Sequence, residues 1–297
     1  MRLVHLSDIH VWRIPRNPFR LAGKRLVGAT ALLLGRARRF RLERLEGVVE
    51  RVRALAPDHL VITGDLTTLA TPEEFAIARA ALEPILADPA RATVIPGNHD
   101  RYTRSATRDR LFERSFGAFA PEGRYPWLRT IGPGTVVLGL DPTRPGLTAR
   151  GILAAGQLAR AQALLEDAGP IPRLLVACHY PLAAPPAYAR ALAHKPLVGV
   201  GALLEWLEGV GRHLYLCGHV HETWAFRPRA VPDQLSLNPG PPLMSDPGGR
   251  TPPGFFEIFL EGARVTVVRH EWTAGAWSAR PFHEERFFFP DCRVDAS

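Results

Sequence analysis

Short apolar runs that end abruptly in polar residues recur along this chain, and no other feature constrains its fold as strongly. Each run is four or five residues long, which is typical of buried strands and too short for helices. The predicted strands are Leu3–Ser7, Leu60–Thr63, Ala92–Pro96, Val136–Leu140, Leu174–Cys178 and Leu214–Cys217. The chain is therefore expected to fold around buried β-strands.

Helical patterns separate several of these strands. Thr71 is a predicted N-cap, with Pro72 at the first helical position and Glu74 completing a capping box. Pro84 is expected to end or kink that helix. Two further helices are predicted at Gln157–Ala168 and Leu203–Val210. Strands that alternate with helices of this length indicate an α/β fold.

The last quarter of the chain has a different pattern, because it contains strands without helices between them. The predicted strands there are Glu222–Phe226, Gln234–Leu237, Phe255–Leu260 and Arg264–Arg269. The Glu261-Gly262 turn joins the last two as a hairpin. We therefore expect two β layers covered by helices in a single domain spanning 1–297, with a β-rich C-terminal part at 222–297.

Polar blocks follow the predicted strands, and ligands of α/β sheets bind beyond the carboxyl ends of strands. Alone, a strand-end aspartate is often a turn former and a buried histidine is often structural. Five of the eleven histidines lie in these blocks, however, and the ordered set indicates a metal site. The blocks are Asp8-Ile9-His10, Gly64-Asp65, Gly97-Asn98-His99-Asp100, His179 and Gly218-His219-Val220-His221.

These five blocks resemble the signature of the calcineurin-like metallophosphoesterase superfamily, DxH, GD, GNH(D/E), H and GHxH. The resemblance implies a β-sandwich of two mixed sheets flanked by helices, in four αββα layers. It also implies one metal bound by Asp8, His10, Asp65 and His221, and a second bound by Asp65, Asn98, His179 and His219. His99 would aid departure of the leaving group, and Asp65 would hold both metals.

The chemistry of these side chains agrees with that implication. Aspartate, asparagine and histidine give mixed oxygen and nitrogen ligation, which suits two divalent ions of the Mn, Fe or Zn type. Such a centre activates water and stabilises charge on phosphoryl oxygens. Next to it, Asp100 is expected to cap a loop rather than to orient His99. Cys178 and Cys217 are expected to be small buried hydrophobes rather than ligands.

The expected function is a metal-dependent phosphohydrolase that uses metal-activated water on a phosphate ester or pyrophosphate. The motifs leave the substrate open. An amphiphilic or lipid-linked substrate such as a UDP-acyl-glucosamine is one hypothesis, and a cyclic-nucleotide or other soluble phosphodiesterase is the alternative. A non-catalytic metal-binding scaffold ranks lower, because such relatives typically lose ligands or the residue that matches His99, and this chain keeps them.

Positive charge is concentrated in one segment, residues 11–42, which we call the insert. The net charge is +8, yet nine Arg or Lys residues and no acidic residue lie between Ile9 and Leu42. Leu26–Gly35 adds an apolar patch. Three interpretations stay open: a packed cap, an element that lies on an anionic membrane surface, and nucleic-acid binding, which few aromatic residues support.

Composition narrows the class of protein further. The chain has 297 residues, of which 46% are hydrophobic and 22% charged, which excludes wholesale disorder. Its apolar runs are shorter than the roughly 18–20 residues of a membrane span, and polar residues interrupt the N-terminus too early for a signal peptide. Three cysteines give no disulfide framework. The expected location is the cytoplasm, with peripheral contact to the inner membrane face if the insert binds lipid.

Overall fold

The computed structural model describes residues 1–15, 17, 21, 23–35, 37, 39–146, 148–244 and 251–287. The helices are α1 (Lys24–Leu33), α2 (Leu45–Leu55), α3 (Pro72–Leu82), α4 (Arg104–Arg108), α5 (Leu111–Phe116), α6 (Ala155–Ala168), α7 (Ala189–Ala193) and α8 (Val200–Val210). The strands are β1 (Arg2–Leu6), β2 (His59–Ile62), β3 (Ala92–Val94), β4 (Trp127–Gly132), β5 (Thr135–Leu140), β6 (Gly151–Ile152), β7 (Arg173–Cys178), β8 (Leu197–Val198), β9 (His213–Leu216), β10 (Trp224–Phe226), β11 (Gln234–Asn238), β12 (Gly254–Glu261), β13 (Arg264–Thr273) and β14 (Ala276–Arg286).

Two mixed six-stranded sheets form the framework. The first sheet has the order β14-β13-β12-β1-β2-β3, with β1, β2 and β3 parallel and β12 antiparallel to β1. The second has the order β10-β11-β9-β7-β5-β4, with its four central strands parallel and both edge strands antiparallel. Strands β6 and β8 pair separately. The expectation of two mixed sheets is confirmed.

The sheets pack face to face, and helices cover their outer faces. Strand β1 shows how the sequence does this: Leu3 joins the cluster between the sheets, whereas Val4 joins the cluster beneath the helices. Successive side chains of a strand point to opposite faces, so a run that is apolar throughout is buried on both sides. The outer clusters include α2 and α3 on the first sheet and α6 and α8 on the second. The four layers are therefore αββα, as expected.

Local signals placed the α3 boundaries correctly. The Thr71 hydroxyl accepts a hydrogen bond from the Glu74 backbone N–H at 3.2 Å, and the Glu74 carboxylate accepts one from the Thr71 N–H at 3.4 Å. Pro72 is the first helical residue and the helix ends at Leu82, two residues before Pro84. The capping box is thus present as predicted.

The C-terminal strands complete the first sheet. The predicted hairpin is present, with Glu261 opposite Arg264, and β12 pairs with β1. Strand β14, which pairs with β13 along the sheet edge, was not among the predicted strands. Every residue of β14 is exposed or half-buried, so this strand lacks the apolar run that identified the others.

The insert contains α1, which was not among the predicted helices. Gly28, Ala29 and Leu32 form its buried face. Arg36 and Arg38, two of the basic residues of the insert, lie outside the described residues. In the described part of the chain, no helix combines the length and the apolar character needed to cross a membrane.

Candidate metal centre

The polar blocks of the two sheets meet at one place. Asp8 and His10 follow β1, and Asp65 follows β2. These strands are parallel neighbours in the first sheet, so their carboxyl ends lie at the same edge. His179 follows β7, and His219 and His221 follow β9, again parallel neighbours. All these side chains are buried.

One group of potential ligand atoms comes from Asp8, His10, Asp65 and His221, whose donor atoms all lie within 4.8 Å of one another. The Nε2 atoms of His10 and His221 are 2.9 Å apart. His10 Nε2 is 3.5 Å from Asp65 Oδ2, and His221 Nε2 is 3.5 Å from Asp8 Oδ1. Two carboxylates and two imidazoles therefore face a common point.

A second group comes from Asp65, His179 and His219, with the same 4.8 Å limit. His179 Nε2 lies 3.4 Å from Asp65 Oδ2 and 3.2 Å from His219 Nδ1. The Asn98 Oδ1 atom adds an amide oxygen at 3.2 Å from His179 Nε2. Asp65 belongs to both groups, which is the position a carboxylate shared by two cations requires.

Outer hydrogen bonds decide which imidazole nitrogens face the centre. His179 Nδ1 donates to the Thr63 carbonyl at 2.7 Å, and His219 Nε2 donates to the Lys195 carbonyl at 3.0 Å. The inward atoms are consequently Nε2 of His179 and Nδ1 of His219. A carbonyl on one ring nitrogen fixes the tautomer that presents a lone pair from the other.

The backbone is unusual at the same residues. Left-handed φ values, uncommon for residues other than glycine, occur at Asp8 (55°), His10 (53°), Asp65 (53°), His219 (76°) and His221 (62°). Such conformations cost free energy and cluster at functional sites.

Close approach of the loops explains two of the glycines. A Cβ atom at Gly97 would meet the Asp65 backbone and side chain, and one at Gly218 would meet Ser7 and Asp8. The His219 N–H then donates to both Asp8 carboxylate oxygens, at 3.0 and 3.1 Å. These contacts join loops from the two sheets.

The charges of the site fit divalent cations. Burial raises the pKa of Asp8 to about 6. Burial opposes ionisation of Asp65 as well, but His179, His99 and His10 hold the pKa of that carboxyl well below its ordinary value. Burial, reinforced by His179, keeps the pKa of His219 well below its usual range, so its ring is neutral and can ligate. Converging lone pairs and buried carboxylates form a donor set that binds divalent cations. A bound cation would offset the cost of burying these carboxylates.

His99 lies beside the two groups and belongs to neither. Its backbone N–H donates to Asp65 Oδ1 at 2.7 Å, and its Nδ1 donates to the Thr68 carbonyl at 2.7 Å. The ring contacts His10 edge-on at 4.8 Å and stacks on Tyr102 at 5.1 Å. The residue is half-buried, unlike the fully buried histidines around it.

Asp100 and the two buried cysteines have the local environments that were expected. The Asp100 carboxylate accepts hydrogen bonds from the backbone N–H groups of Gly97, Leu66 and Thr67 at 2.9–3.2 Å, so it ties two loops together. Burial raises the pKa of the Cys178 thiol to about 12, and that of Cys217 is raised as well. Neither thiol belongs to a group of potential ligands.

Sequence reasoning missed several residues around the centre. Thr63, Thr68 and Lys195 act through backbone carbonyls, which every residue type possesses, so no sequence signal identifies them. Asp141 could have been found, because it follows β5 as the other polar residues follow their strands. It pairs at 3.1 Å with Arg101.

The chain is similar to several known phosphoesterases. The calcineurin-like phosphoesterase profile matches residues 1–223. The chain is 29% identical over 225 residues to the glycerophosphodiester phosphodiesterase GpdQ of Enterobacter lignolyticus (strain SCF1), covering 74% of this chain and 71% of the relative. A dimetal phosphatase from Danio rerio has a similar fold, with a TM-score of 0.59, 14% identity and coverage of 95% and 99% of the two chains. Purple acid phosphatase PPD1 from yellow lupin seeds gives a TM-score of 0.58 at 14% identity, covering 100% of this chain and 56% of the other.

Proposed function

The chain belongs to the calcineurin-like phosphoesterase family and is a metal-dependent phosphohydrolase, and we propose that it hydrolyses phosphodiesters at a dinuclear centre. The observation that carries this proposal is the pair of ligand groups that share Asp65. A shared carboxylate is what a centre with two closely spaced cations needs.

The proposed ligands follow from the inward-facing atoms. Asp8, His10, Asp65 and His221 would hold one cation, and Asp65, Asn98, His179 and His219 the other. When bound, the two cations would lower the pKa of water and neutralise charge on phosphoryl oxygens. Mixed oxygen and nitrogen donors favour Mn, Fe or Zn over alkaline-earth ions.

His99 is proposed to supply the proton that the leaving oxygen needs. Its Nδ1 proton is committed to the Thr68 carbonyl at 2.7 Å, so the exchangeable proton is on Nε2. The backbone N–H of the same residue holds Asp65 Oδ1 at 2.7 Å. One residue therefore fixes the shared carboxylate through its main chain and serves as general acid through its ring.

A phosphodiester is the proposed substrate because the relative GpdQ is named a glycerophosphodiester phosphodiesterase. The test compares bis(p-nitrophenyl) phosphate with p-nitrophenyl phosphate after the protein has been stripped by chelator and reloaded with Mn²⁺, Fe²⁺ or Zn²⁺. We expect no turnover of either ester by the stripped protein and faster turnover of the diester after reloading. Equal turnover before and after stripping would contradict metal dependence, and a preference for the monoester would contradict the diester.

We propose further that residues 1–297 form a single domain, with the insert at 11–42 and the β-rich part at 222–297. Strands β12 and β13 support this, since β12 pairs along β1 through four residue pairs. The N-terminal strand and the C-terminal hairpin are thus parts of the same sheet.

An amphiphilic or lipid-linked substrate on an anionic membrane surface is a second candidate, carried by the outer face of α1. Leu26, Val27, Leu33 and Leu34 are 56%, 69%, 72% and 83% exposed. The first three lie on α1 away from its buried face, Leu34 directly follows the helix, and the surrounding insert is basic. Apolar side chains bordered by cations suit an anionic lipid interface. The protein would then be cytoplasmic and bind peripherally to the inner face of the membrane.

Vesicle flotation tests this candidate. We expect the protein to float with phosphatidylglycerol vesicles, to bind neutral vesicles less, and to lose binding when Val27 and Leu34 are both changed to Ser. The matched control changes Ile152 and Val198, which are also exposed apolar residues, and should bind as the wild type does. Equal flotation of both double variants would contradict the role of α1.

A further inference from the structure

Helix α3 carries a fully buried carboxylate, that of Glu74, which belongs to neither ligand group. Both of its oxygens accept hydrogen bonds from backbone N–H groups. Oε2 accepts from Leu69 at 2.7 Å and from Thr71 at 3.4 Å, and Oε1 accepts from Arg13 at 3.2 Å. The Thr71 contact is part of the capping box, but the much shorter Leu69 contact is not. Capping of α3 therefore does not account for that contact.

The Leu69 N–H belongs to the same peptide unit as the Thr68 carbonyl. The N–H and C=O groups of a trans peptide lie in one plane and point in opposite directions. The Thr68 carbonyl accepts from Nδ1 of His99 at 2.7 Å, and the Leu69 N–H donates to Glu74 at 2.7 Å. One planar unit thus connects the carboxylate of α3 to the ring of His99.

The charge of Glu74 strengthens the contact at the far end of this peptide. A carboxylate at the N–H polarises the peptide unit, so the carbonyl oxygen becomes a stronger acceptor. A stronger acceptor holds the proton on Nδ1 of His99 and fixes the orientation of the ring. Burial raises the pKa of Glu74 to about 7, and the N–H groups of Leu69 and Arg13 oppose that shift because they favour the ionised form.

The loop that contains this peptide is held in place on both sides. The Thr68 hydroxyl donates to the His10 carbonyl at 3.3 Å. The Arg25 guanidinium donates to the carbonyls of Leu69 and Ala70 at 3.0 and 2.6 Å. Ala70 has a left-handed φ of 51°, which is costly for a residue with a Cβ atom. The surrounding contacts therefore fix a loop conformation that the local sequence alone would not favour.

We propose that Glu74 is a positioning residue for hydrolysis, which orients the His99 ring and holds its Nδ1 proton through the Thr68–Leu69 peptide. The inference rests on the proposed function, in which His99 protonates the leaving oxygen from Nε2. A functional side chain that is oriented by a third group is a recurrent arrangement in active sites. Because Glu74 is outside both ligand groups, its substitution should leave the metals in place.

The first experiment uses Glu74→Gln, which removes the charge with little change in shape and leaves a residue that capping boxes accept. Values of kcat/KM are measured with Mn²⁺-loaded protein on diphenyl phosphate and on bis(p-nitrophenyl) phosphate, above the pKa of Glu74. Phenol is the poorer leaving group and needs more protonation. We expect a loss of about 10-fold or more on the phenyl ester and of less than about threefold on the nitrophenyl ester.

Thr71→Ala is the matched control, because it removes the other hydrogen bond of the same capping box. The Thr71 hydroxyl accepts from the Glu74 N–H at 3.2 Å and does not contact the Leu69 N–H. The control should lower the Tm, as loss of an N-cap does, and should leave the ratio of the two rates as in the wild type. If Thr71→Ala gave the same change of ratio as Glu74→Gln, weakened capping would explain both, and the proposal would be wrong.

A double-mutant cycle tests whether Glu74 acts through His99. Two residues that act as a unit have non-additive effects. On the phenyl ester, Glu74→Gln should cost about 10-fold in the wild type and less than about twofold in His99→Ala. The cycle is run on the nitrophenyl ester if the phenyl ester is too slow, with the same expectation of a smaller loss in His99→Ala. Equal losses in both backgrounds would overturn the proposal.

Two sets of outcomes separate this inference from the proposed function. Absence of metal-dependent hydrolysis in the wild type, or full activity of His99→Ala, would refute the proposed function itself. Hydrolysis that depends on metal and on His99, combined with equal losses of Glu74→Gln on the two esters, would overturn the role of Glu74 alone. Elemental analysis of Glu74→Gln should give the metal content of the wild type, and loss of metal would also contradict a role exerted through His99.

Discussion

Asp65 is the residue on which the proposed chemistry depends most, because its carboxylate belongs to both ligand groups. Asp65→Asn should lower the content of both metals and reduce hydrolysis of bis(p-nitrophenyl) phosphate by more than about 100-fold. Elemental analysis of the desalted protein and initial rates measure the two effects. Asp109→Asn, which removes an exposed carboxylate paired with Arg108, is the control. Full occupancy with full activity in Asp65→Asn would contradict the shared position.

His99 allows a different separation, since it contacts the centre without belonging to either group. His99→Ala should keep both metals while hydrolysis falls by about 10²-fold or more. The loss should be smaller for nitrophenyl esters than for alkyl esters, because a good leaving group needs less protonation. Loss of metal from His99→Ala, measured by elemental analysis, would make His99 a ligand instead of a general acid.

At the scale of single strands, two buried histidines make the stability of the fold depend on pH. His5 Nε2 bonds the Thr63 hydroxyl and His59 Nε2 bonds the Thr93 hydroxyl, both at 2.9 Å. Burial lowers the pKa of His5 to about 3 and that of His59 to about 4, from 6.5. Between those values and 6.5 the unfolded chain binds protons that the folded chain does not. Stability is therefore complete above pH 6.5 and is lost as the pH falls.

The test uses His59, which lies on β2 away from the ligands. His59→Asn should reduce the loss of unfolding free energy between pH 6.5 and pH 5 by about 2 kcal/mol, since one pKa unit corresponds to about 1.4 kcal/mol. Urea unfolding at both pH values gives the difference. His194→Asn changes an exposed histidine and serves as the control. An unchanged pH dependence in His59→Asn would show that this histidine does not titrate on unfolding.

Elements with strong local signals could be predicted from the sequence, and elements defined by distant partners could not. The α3 cap and the polar strand ends were found because turn and capping residues act within a few positions. Strand β14 was missed because it is an edge strand with no buried residue. The pairing of β12 with β1 joins residues more than 250 positions apart, and no local pattern encodes such a partner.

The same distinction holds at the site. Ligand types and their order identified the residues of the two groups, whereas tautomers depend on carbonyls from Thr63 and Lys195 that only folding brings close. The apolar patch of the insert was visible in the sequence. Its division into a buried face at Gly28 and Leu32 and an exposed face at Leu26 and Val27 needed the helix and its packing.

At the scale of the whole molecule, the centre is a link between the two sheets. Asp8, His10 and Asp65 come from the first sheet, and His179 and His219 from the second. Metal bound only by the folded state stabilises that state by mass action. Removal of metal by chelator should lower the Tm by about 5–10 °C, and Mn²⁺ should restore it.

Differential scanning calorimetry of the stripped and reloaded protein measures this shift. Asp65→Asn is the informative comparison, because a chain that binds metal weakly should show little difference between the two conditions. A Tm of the wild type that ignores chelator and Mn²⁺ would show that the sheets are held together without the cations.

The left-handed backbone at His10, His219 and His221 also bears on how this protein can evolve. Glycine adopts that conformation at little cost, so glycine at these positions would relax the loops. A laboratory selection for heat resistance in the presence of chelator, where no cation stabilises the fold, should therefore enrich such variants, which should be more stable and inactive. Selection for hydrolysis must reject the same changes. Any gain in thermal stability that preserves activity therefore has to arise elsewhere, in the sheets and helices.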